Sequence, residues 1–247
     1  MPTVKINHEE IFYAQHGEPH GLPIVFIHGA GGTHQRWLPV ASALHGCACY
    51  ALDLPGHGQS SGAGRDRMGP YADVVVNFID ALAIPSAVIA GHSMGGGVAL
   101  WLALHQPSRV RGLVLASTGA KLRVHPDILQ AAKEGRPVSA AAILGGAPPP
   151  QPQPTIPPAQ AAVTYGDWQA SDTFNVMDRL SEIACPTFVI VGDQDVMTPP
   201  KYALFMAQNI KGALMVTIAD AGHSVISEKP DEVTRAVQAF VNSLPRA

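Results

Sequence analysis

The sequence predicts an α/β fold in which helices cover both faces of a mostly parallel sheet, and three observations carry this prediction. Short apolar runs, such as Pro23–Ile27, have the character of strands buried on both faces. Stretches with helical spacing, such as Met94–His105, lie between these runs. Apolar residues occupy 47% of the 247 positions, so the chain can bury one large core.

The chain opens with a predicted antiparallel hairpin, because Thr3–Ile6 and Ile11–Gln15 flank the polar turn Asn7-His8-Glu9. Strands and helices then alternate, which predicts parallel neighbours in the sheet. The further predicted strands are Pro23–Ile27, Ala48–Leu52, Ala87–Ala90, Val110–Ala116, Thr187–Val191 and Leu214–Ile218. The predicted helices are Trp37–Leu44, Tyr71–Leu82, Met94–His105, Lys201–Asn209 and Asp231–Leu244.

The alternation is interrupted between about Gly119 and Ile183, where no strand-like run occurs. Seven of the 22 prolines fall within Pro148–Pro158, which predicts an extended, polyproline-like stretch. About 60 residues bury little surface alone. We therefore interpret residues 119–183 as a small lid inserted into one core domain, whose two parts are residues 1–118 and 184–247.

A nucleophile elbow is indicated at Gly91-His-Ser-Met-Gly95, between the strand Ala87–Ala90 and the helix Met94–His105. Such an elbow holds serine in a strained conformation with its hydroxyl exposed, and it needs small residues two positions before and after the serine. Gly58-Gln-Ser-Ser-Gly62 has the same pattern, but no strand precedes it and no helix follows it. Ser93 is therefore the predicted nucleophile.

A serine hydroxyl needs a base, and that base needs a carboxylate to fix its tautomer. His223 follows the last predicted strand and is the preferred base. His28 and His92 also lie at strand ends and are its rivals. Asp195, after the strand Thr187–Val191, is the preferred carboxylate, and Asp193 is the alternative.

Backbone N–H groups are expected to stabilise the oxyanion of the reaction. One belongs to Met94, directly after the serine, and the other to Ala30 in the glycine-rich loop His28–Gly32. The predicted pocket residues are apolar or aromatic, and packing onto the core is the alternative for each. They are Trp37, Ile143, Leu144 and Trp168.

These motifs together resemble the α/β-hydrolase superfamily. The resemblance rests on His28-Gly29, Asp53-Leu-Pro-Gly-His-Gly-Gln-Ser60, Gly91-His-Ser-Met-Gly-Gly96, Gly192-Asp-Gln-Asp195, and Gly222-His223 followed by Glu228-Lys-Pro230. It implies an eight-stranded sheet and assigns Ser93 as nucleophile, His223 as base and Asp195 as its orienter. Serine at the elbow argues against haloalkane dehalogenases and epoxide hydrolases, which carry aspartate there.

The small cap looks like those of carboxylesterases, lactonases of the enol-lactone type and cofactor-free perhydrolases. We therefore expect a carboxylesterase for small or medium, uncharged acyl esters, acting through an acyl-enzyme. Lactonase, carbon–carbon bond hydrolase and perhydrolase activities are alternatives, and a slow-turnover ligand sensor is an alternative of another class. An acidic substrate would need a cation in the lid, and four are available: Lys121, Arg123, Lys133 and Arg136.

The charge and apolar content of the chain argue against some classes of binding partner. The 16 basic and 19 acidic residues give a net charge of −3, without the basic face that nucleic acid requires. The chain has neither an apolar leader nor a run of 18 apolar residues, so we expect a cytoplasmic protein that does not insert into membranes. No metal-ligand spacing occurs and the chemistry needs no cofactor. The expected partner is a small-molecule ester, and the low charge favours a homo-oligomer.

Overall fold

An eight-stranded sheet forms the centre of the computed structural model, which describes residues 2–137, 139–145 and 157–245. Its strands are β1 (Thr3–Ile6), β2 (Glu9–Gly17), β3 (Leu22–Ile27), β4 (Cys47–Leu52), β5 (Ala87–His92), β6 (Val110–Ala116), β7 (Thr187–Gly192) and β8 (Leu214–Ile218). Their order is β1-β2-β4-β3-β5-β6-β7-β8. β2 pairs antiparallel with β1 and β4, and all other neighbours are parallel. The predicted opening hairpin and mostly parallel sheet are both confirmed.

The central strands are buried on both faces, as their continuous apolar runs predict. In β3, Val25 and Ile27 join one core cluster while Ile24 and Phe26 join the other, and all four side chains are fully buried. This alternation follows from the two-residue period of a strand. The sheet therefore separates two apolar layers, and each layer needs its own cover of helices.

Nine helices are present in the described part of the chain. They are α1 (Leu38–Ala41), α2 (Met68–Ala81), α3 (Met94–His105), α4 (Pro126–Lys133), α5 (Ala140–Ile143), α6 (Pro158–Asp172), α7 (Pro200–Asn209), α8 (Val225–Glu228) and α9 (Pro230–Ser243). Side chains of α2, α3 and α7 fill one apolar layer, and those of α1, α8 and α9 fill the other. In α9 the buried positions Val233, Val237, Phe240 and Val241 follow the spacing of one helical face.

The predicted helix Trp37–Leu44 is wrong in its extent. A 3₁₀ turn covers His34–Arg36, and α1 contains only Leu38–Ala41. Pro39 has no N–H and is tolerated only in the first turn of a helix, which places the start of α1 at Leu38. At the other end, the hydroxyl of Ser42 donates to the carbonyl of Leu38 at 2.7 Å and competes with continuation of the helix.

The 119–183 segment follows β6 and precedes β7, and its described part is helical. It contains α4, α5, α6 and a 3₁₀ turn at Met177–Glu182. The predicted polyproline-like stretch at Pro148–Pro158 lies mostly in residues 146–156, outside the described residues. Pro157 is extended, and Pro158 is the first residue of α6. None of the described helices has the length and apolar character needed to cross a membrane.

Candidate active site

The predicted site residues lie on loops at one edge of the sheet. Ser93 follows β5, Asp195 follows β7, and His223 follows β8. These strands are parallel, so their carboxyl ends meet at the same edge. Ligands in open α/β sheets bind at this edge, where the strand order reverses. Here the reversal falls at β3, which lies between β4 and β5.

Ser93 occupies a sharp turn between β5 and α3. Its φ of 53° and ψ of −119° place a non-glycine residue in a strained region of backbone space. A Cβ at Gly91 would collide with the carbonyl of Gly95, and a Cβ at Gly95 would collide with the backbone of Ile27 and His28. Both glycines are therefore required by close backbone approach, as the motif predicts.

Three side chains form one continuous chain of hydrogen bonds at this edge. The Oγ atom of Ser93 lies 3.0 Å from Nε2 of His223. Nδ1 of His223 lies 3.0 Å and 3.1 Å from the two carboxylate oxygens of Asp195. Because an ionised carboxylate only accepts, Nδ1 carries the proton and Nε2 is left to accept from the serine hydroxyl. This is the arrangement that activates a serine for attack.

Asp195 is held by donors from its own loop. The N–H groups of Met197 and Thr198 each donate to Oδ1 at 2.9 Å, and the hydroxyl of Thr198 donates to Oδ2 at 2.7 Å. Burial raises the pKa of Asp195, but the hydrogen bond and charge of His223, together with the Thr198 donors, outweigh burial and leave the pKa below its usual value. The carboxylate therefore stays ionised while buried. Asp193 contacts the N–H of Ala221 at 3.3 Å instead.

The rival histidines have structural contacts. Nδ1–H of His28 donates to the carbonyl of Gly29 at 2.8 Å, and its Nε2 accepts from the N–H of Leu54 at 3.1 Å. Nε2–H of His92 donates to the carbonyl of His223 at 2.8 Å. Burial lowers the pKa of each to about 3, with further lowering by His57 at His28 and by His223 at His92. Both rings are therefore neutral, and their hydrogen bonds hold the loops around Ser93 in place.

The two N–H groups predicted to bind the oxyanion are located beside the serine. Met94 is the first residue of α3, and the loop of Ala30 runs close to Ser93, since a Cβ at Gly29 would lie 3.1 Å from the Cβ of Ser93. Within the described residues, no backbone acceptor pairs with the N–H of Ala30 or Met94. Both donors are thus available to a ligand.

A small cavity of about 40 Å³ opens onto Ser93 and His223. Leu144 and Trp168 line it, as predicted, whereas Ile143 does not. Residues of the 119–183 segment form most of its wall. Among the described residues, the lining consists of Ser93, Leu122, Arg123, Val124, His125, Ile128, Leu144, Trp168, Ser171, Met197, Thr198, Tyr202 and His223.

The prediction that Trp37 lines the pocket is wrong. Its side chain is fully buried, packs against Phe26 with ring centroids 5.1 Å apart, and donates from Nε1 to the carbonyl of Ile27 at 3.0 Å. Its apolar neighbours belong to the layer covered by α1, α8 and α9. Trp37 therefore has the structural role that the sequence left as the alternative.

A buried polar cluster beside the site was not predicted from the sequence. Asp167 of α6 is fully buried and accepts at Oδ2 from the N–H of Gly31 and from Nε2 of His57, both at 2.8 Å. At Oδ1 it accepts from the hydroxyl of Tyr71 at 2.5 Å. The cluster therefore ties the inserted segment to the residue next to Ala30. Its only sequence signal is the His57 of the Leu-Pro-Gly-His-Gly motif.

The surroundings of His57 favour its protonated, positively charged form. Nε2 faces the carboxylate of Asp167, and Nδ1 lies 3.1 Å from the carbonyl of Pro55, so both ring nitrogens face acceptors and both must donate. Burial alone lowers the pKa of His57, but the hydrogen bond and charge of Asp167 outweigh it and raise the pKa. Burial and the Asp167 charge also raise the pKa of Tyr71, which keeps its proton.

Comparison with known proteins agrees with this fold. A model of the alpha/beta hydrolase family matches residues 24–236. The chain belongs to the alpha/beta hydrolase family and is a hydrolase by that membership. Its eight-stranded, mostly parallel sheet flanked by helices is the fold of this family.

Individual relatives differ in their named activities. A dihydrolipoyllysine-residue acetyltransferase component of an acetoin cleaving system from Pseudomonas putida is 30% identical over 90% of this chain, but the chain spans only 64% of that relative's length. A 3-oxoadipate enol-lactonase from Acinetobacter baylyi is 28% identical, covering 92% of this chain and 91% of the relative. The solved structure of a thermophilic esterase has a TM-score of 0.80 at 26% identity and covers 98% of this chain and 96% of its own.

Proposed function

We propose that this protein is a serine hydrolase that cleaves carboxylic esters through an acyl-enzyme on Ser93. The observation that supports it is the hydrogen-bonded chain from Ser93 through His223 to Asp195, with separations of 3.0 Å at both links. A serine hydroxyl becomes nucleophilic only when a positioned base removes its proton. Family membership alone leaves the reaction open, because this fold hosts many chemistries.

In acylation, Ser93 is the nucleophile, His223 acts first as general base and then as general acid, and Asp195 orients His223. Oγ of Ser93 attacks the ester carbonyl carbon while Nε2 of His223 takes the hydroxyl proton. Asp195, ionised and hydrogen-bonded to Nδ1, stabilises the imidazolium that forms. The negative oxygen of the tetrahedral intermediate accepts from the N–H groups of Ala30 and Met94. The intermediate then collapses, the carbon–oxygen bond to the alcohol breaks, and His223 gives its proton to the departing alcohol.

Deacylation repeats these steps with water. His223 removes a proton from a water molecule, whose oxygen attacks the acyl carbon and forms a second tetrahedral intermediate at the same N–H groups. The bond to Oγ of Ser93 breaks, and His223 returns the proton to the serine. We further propose that residues 119–183 act as a lid, because they supply most of the wall of the catalytic cavity.

Lactone hydrolysis is the second candidate function, and the similarity to an enol-lactonase over nearly the whole chain favours it. A lactone is a cyclic ester, so the same nucleophile, base and oxyanion donors act on it. The difference is that the alcohol stays attached to the acyl group. A series of linear esters and lactones of equal carbon number, compared by kcat/KM, separates the two functions.

The experiment that tests the proposal measures release of p-nitrophenol from p-nitrophenyl butyrate. We expect an initial burst followed by steady turnover, and we expect Ser93→Ala to abolish both. Ser60→Ala is the matched control, because Ser60 lies in the second Gly-x-Ser-x-Gly match and its hydroxyl bonds backbone at Asp53 and Phe12. Full activity of Ser93→Ala, or equal loss in both variants, would refute the proposal.

A further inference from the structure

A second, larger space lies next to the catalytic cavity. This groove has a volume of about 340 Å³, and Arg123 and Tyr202 line both it and the cavity at Ser93. The catalytic cavity is much smaller, at about 40 Å³. For an ester with its carbonyl at Ser93, the groove therefore offers more space for a chain of several carbons than this cavity does. The adjoining groove is the space into which such a chain can extend.

The groove is positively charged. Lys121, Arg123 and Lys201 line it, and none of its described lining residues is acidic. Within the described part of the chain, none of these three cations makes an ion pair. Three basic residues line this groove although the whole chain has a net charge of −3. The other two cations considered from the sequence differ, since Arg136 pairs with Glu134 and Lys133 lines neither space.

The remaining wall of the groove is apolar. Met177, Phe205 and Ala120 line it together with the ring of Tyr202. Apolar walls with a few convergent charged groups are typical of sites that bind a small organic ligand and fix its orientation. Lysine and arginine both form strong, charge-assisted hydrogen bonds with carboxylates. The groove is therefore suited to a carbon chain that ends in an anionic group.

We propose that the groove is a subsite for a carboxylate carried by the substrate several carbons from the scissile ester. This inference rests on the proposed ester hydrolysis and names its substrate class as anionic esters, in place of the uncharged esters expected from sequence. The carboxylate contacts Lys121, Arg123 and Lys201, while the intervening carbons lie against Met177 and Phe205. An acyl chain and an alcohol group can each carry such a carboxylate.

The test compares two matched pairs of esters. The first pair is p-nitrophenyl hydrogen adipate and p-nitrophenyl hexanoate, which differ only in a carboxylate on the acyl chain. The second is the butyrate ester of 6-hydroxyhexanoate and hexyl butyrate, which differ in a carboxylate on the alcohol. We expect kcat/KM to favour the anionic member of one pair by about tenfold or more, the strength of one charge-assisted hydrogen bond. The preferred pair identifies which side of the ester enters the groove.

Single substitutions test whether the preference for anionic esters depends on the groove. Arg123→Gln and Lys201→Gln should each reduce the anionic-to-neutral ratio of kcat/KM about tenfold, and added salt should reduce it further. Lys133→Gln, an exposed cation of the same segment that lines neither space, should leave the ratio unchanged. Ratios near one for both pairs, or equal reductions by Lys133→Gln, would overturn the inference.

Two readouts keep this inference separate from the proposed function. If the neutral esters are hydrolysed through Ser93 without preference for the anionic ones, only the subsite is refuted. If no ester is hydrolysed, calorimetric titration of Ser93→Ala with the adipate and hexanoate esters still tests the subsite directly. Tighter binding of the adipate ester, weakened by adding Arg123→Gln, supports the subsite, and equal binding of the two esters refutes it.

Discussion

Asp195 and Thr198 show how a few local contacts set the chemistry of the site. The loop after β7 turns so that two N–H groups and one hydroxyl converge on a single buried carboxylate. These donors stabilise the charged form of Asp195, and the charged form holds His223 in the tautomer that accepts from Ser93. The geometry at the serine therefore depends on a threonine that has no direct contact with it.

Replacing Thr198 with valine should lower kcat. The change keeps the shape of the side chain but removes the hydroxyl that donates to Asp195 at 2.7 Å and lies 3.3 Å from Nδ1 of His223. We expect kcat for p-nitrophenyl butyrate to fall about tenfold, equivalent to about 1.4 kcal/mol. Thr187→Val is the control, since Thr187 is buried in β7 and its hydroxyl contacts only the Cys185 carbonyl. Equal effects on kcat would contradict this role.

Replacing Trp37 with phenylalanine should affect stability and spare activity. The change removes a buried N–H donor to the Ile27 carbonyl and leaves a void in the packed layer. We expect the free energy of unfolding in urea to fall by about 2–3 kcal/mol, with kcat/KM unchanged at a temperature where the variant is folded. A selective change in kcat/KM would instead place Trp37 in the pocket, as the sequence suggested.

At the scale of elements, the bridge from α6 to the glycine-rich loop links the inserted segment to Ala30, whose N–H is a predicted oxyanion donor. Asp167 contacts Gly31, the residue after Ala30, and pairs with His57 in the turn that follows β4. A buried ion pair that loses one partner leaves an uncompensated charge, which destabilises the folded state strongly. The position of α6 and the position of the Ala30 N–H are therefore linked through the carboxylate of Asp167.

Replacing Asp167 with asparagine should reduce both activity and stability, in a pH-dependent manner. His57 has a raised pKa when folded, so the stability from its charge is present below its unfolded pKa of about 6.5 and lost as pH rises through the folded value. In urea titrations near pH 6, the free energy of unfolding of the variant should be about 3 kcal/mol lower than that of the unchanged protein. This difference should become smaller as the pH is raised. Asp172 is an exposed carboxylate of the same helix, and Asp172→Asn should lower the free energy of unfolding by less than about 1 kcal/mol. A deficit that grows with pH would contradict the ion pair.

The helices of the inserted segment mark the limit of sequence-based prediction at this scale. The face of α6 that is buried includes Ala161, Val163 and Ala170, but also the charged Asp167. A carboxylate at a buried position breaks the apolar spacing by which a helix is recognised. α9 was predictable because its buried positions are all apolar. Asp167 therefore makes α6 difficult to predict from the sequence, and its hydrogen bonds hold α6 in place in the structure.

At the scale of the whole molecule, the sheet and the site edge were predictable and the substrate space was not. Continuous apolar runs define the central strands, and parallel strands bring their following loops to one edge. That reasoning predicted Ser93, Asp195 and His223, which lie in the loops that follow β5, β7 and β8. Whether a tryptophan or leucine faces a cavity or the core depends on packing, and the sequence does not distinguish Trp37 from Trp168 in this respect.

The buried neutral histidines should make the molecule sensitive to acid. His28 and His92 have pKa values of about 3 when folded and about 6.5 when unfolded, so the unfolded state binds more protons between these values. The free energy of unfolding should therefore fall as pH decreases below about 6.5, by about 1.4 kcal/mol per pH unit for each group. Urea titrations across this range measure the slope, and a constant free energy down to about pH 4 would contradict buried, neutral rings.

The central claim is that Ser93 forms a covalent acyl-enzyme, and mass spectrometry of the acid-quenched protein tests it most directly. The protein is mixed with p-nitrophenyl acetate, quenched during the burst and digested. The expected result is one acetyl group on the peptide that contains Ser93, and no acetylated peptide from Ser93→Ala. Continued ester turnover with an unmodified Ser93 peptide, or an equal adduct in the Ser93→Ala protein, would contradict the claim.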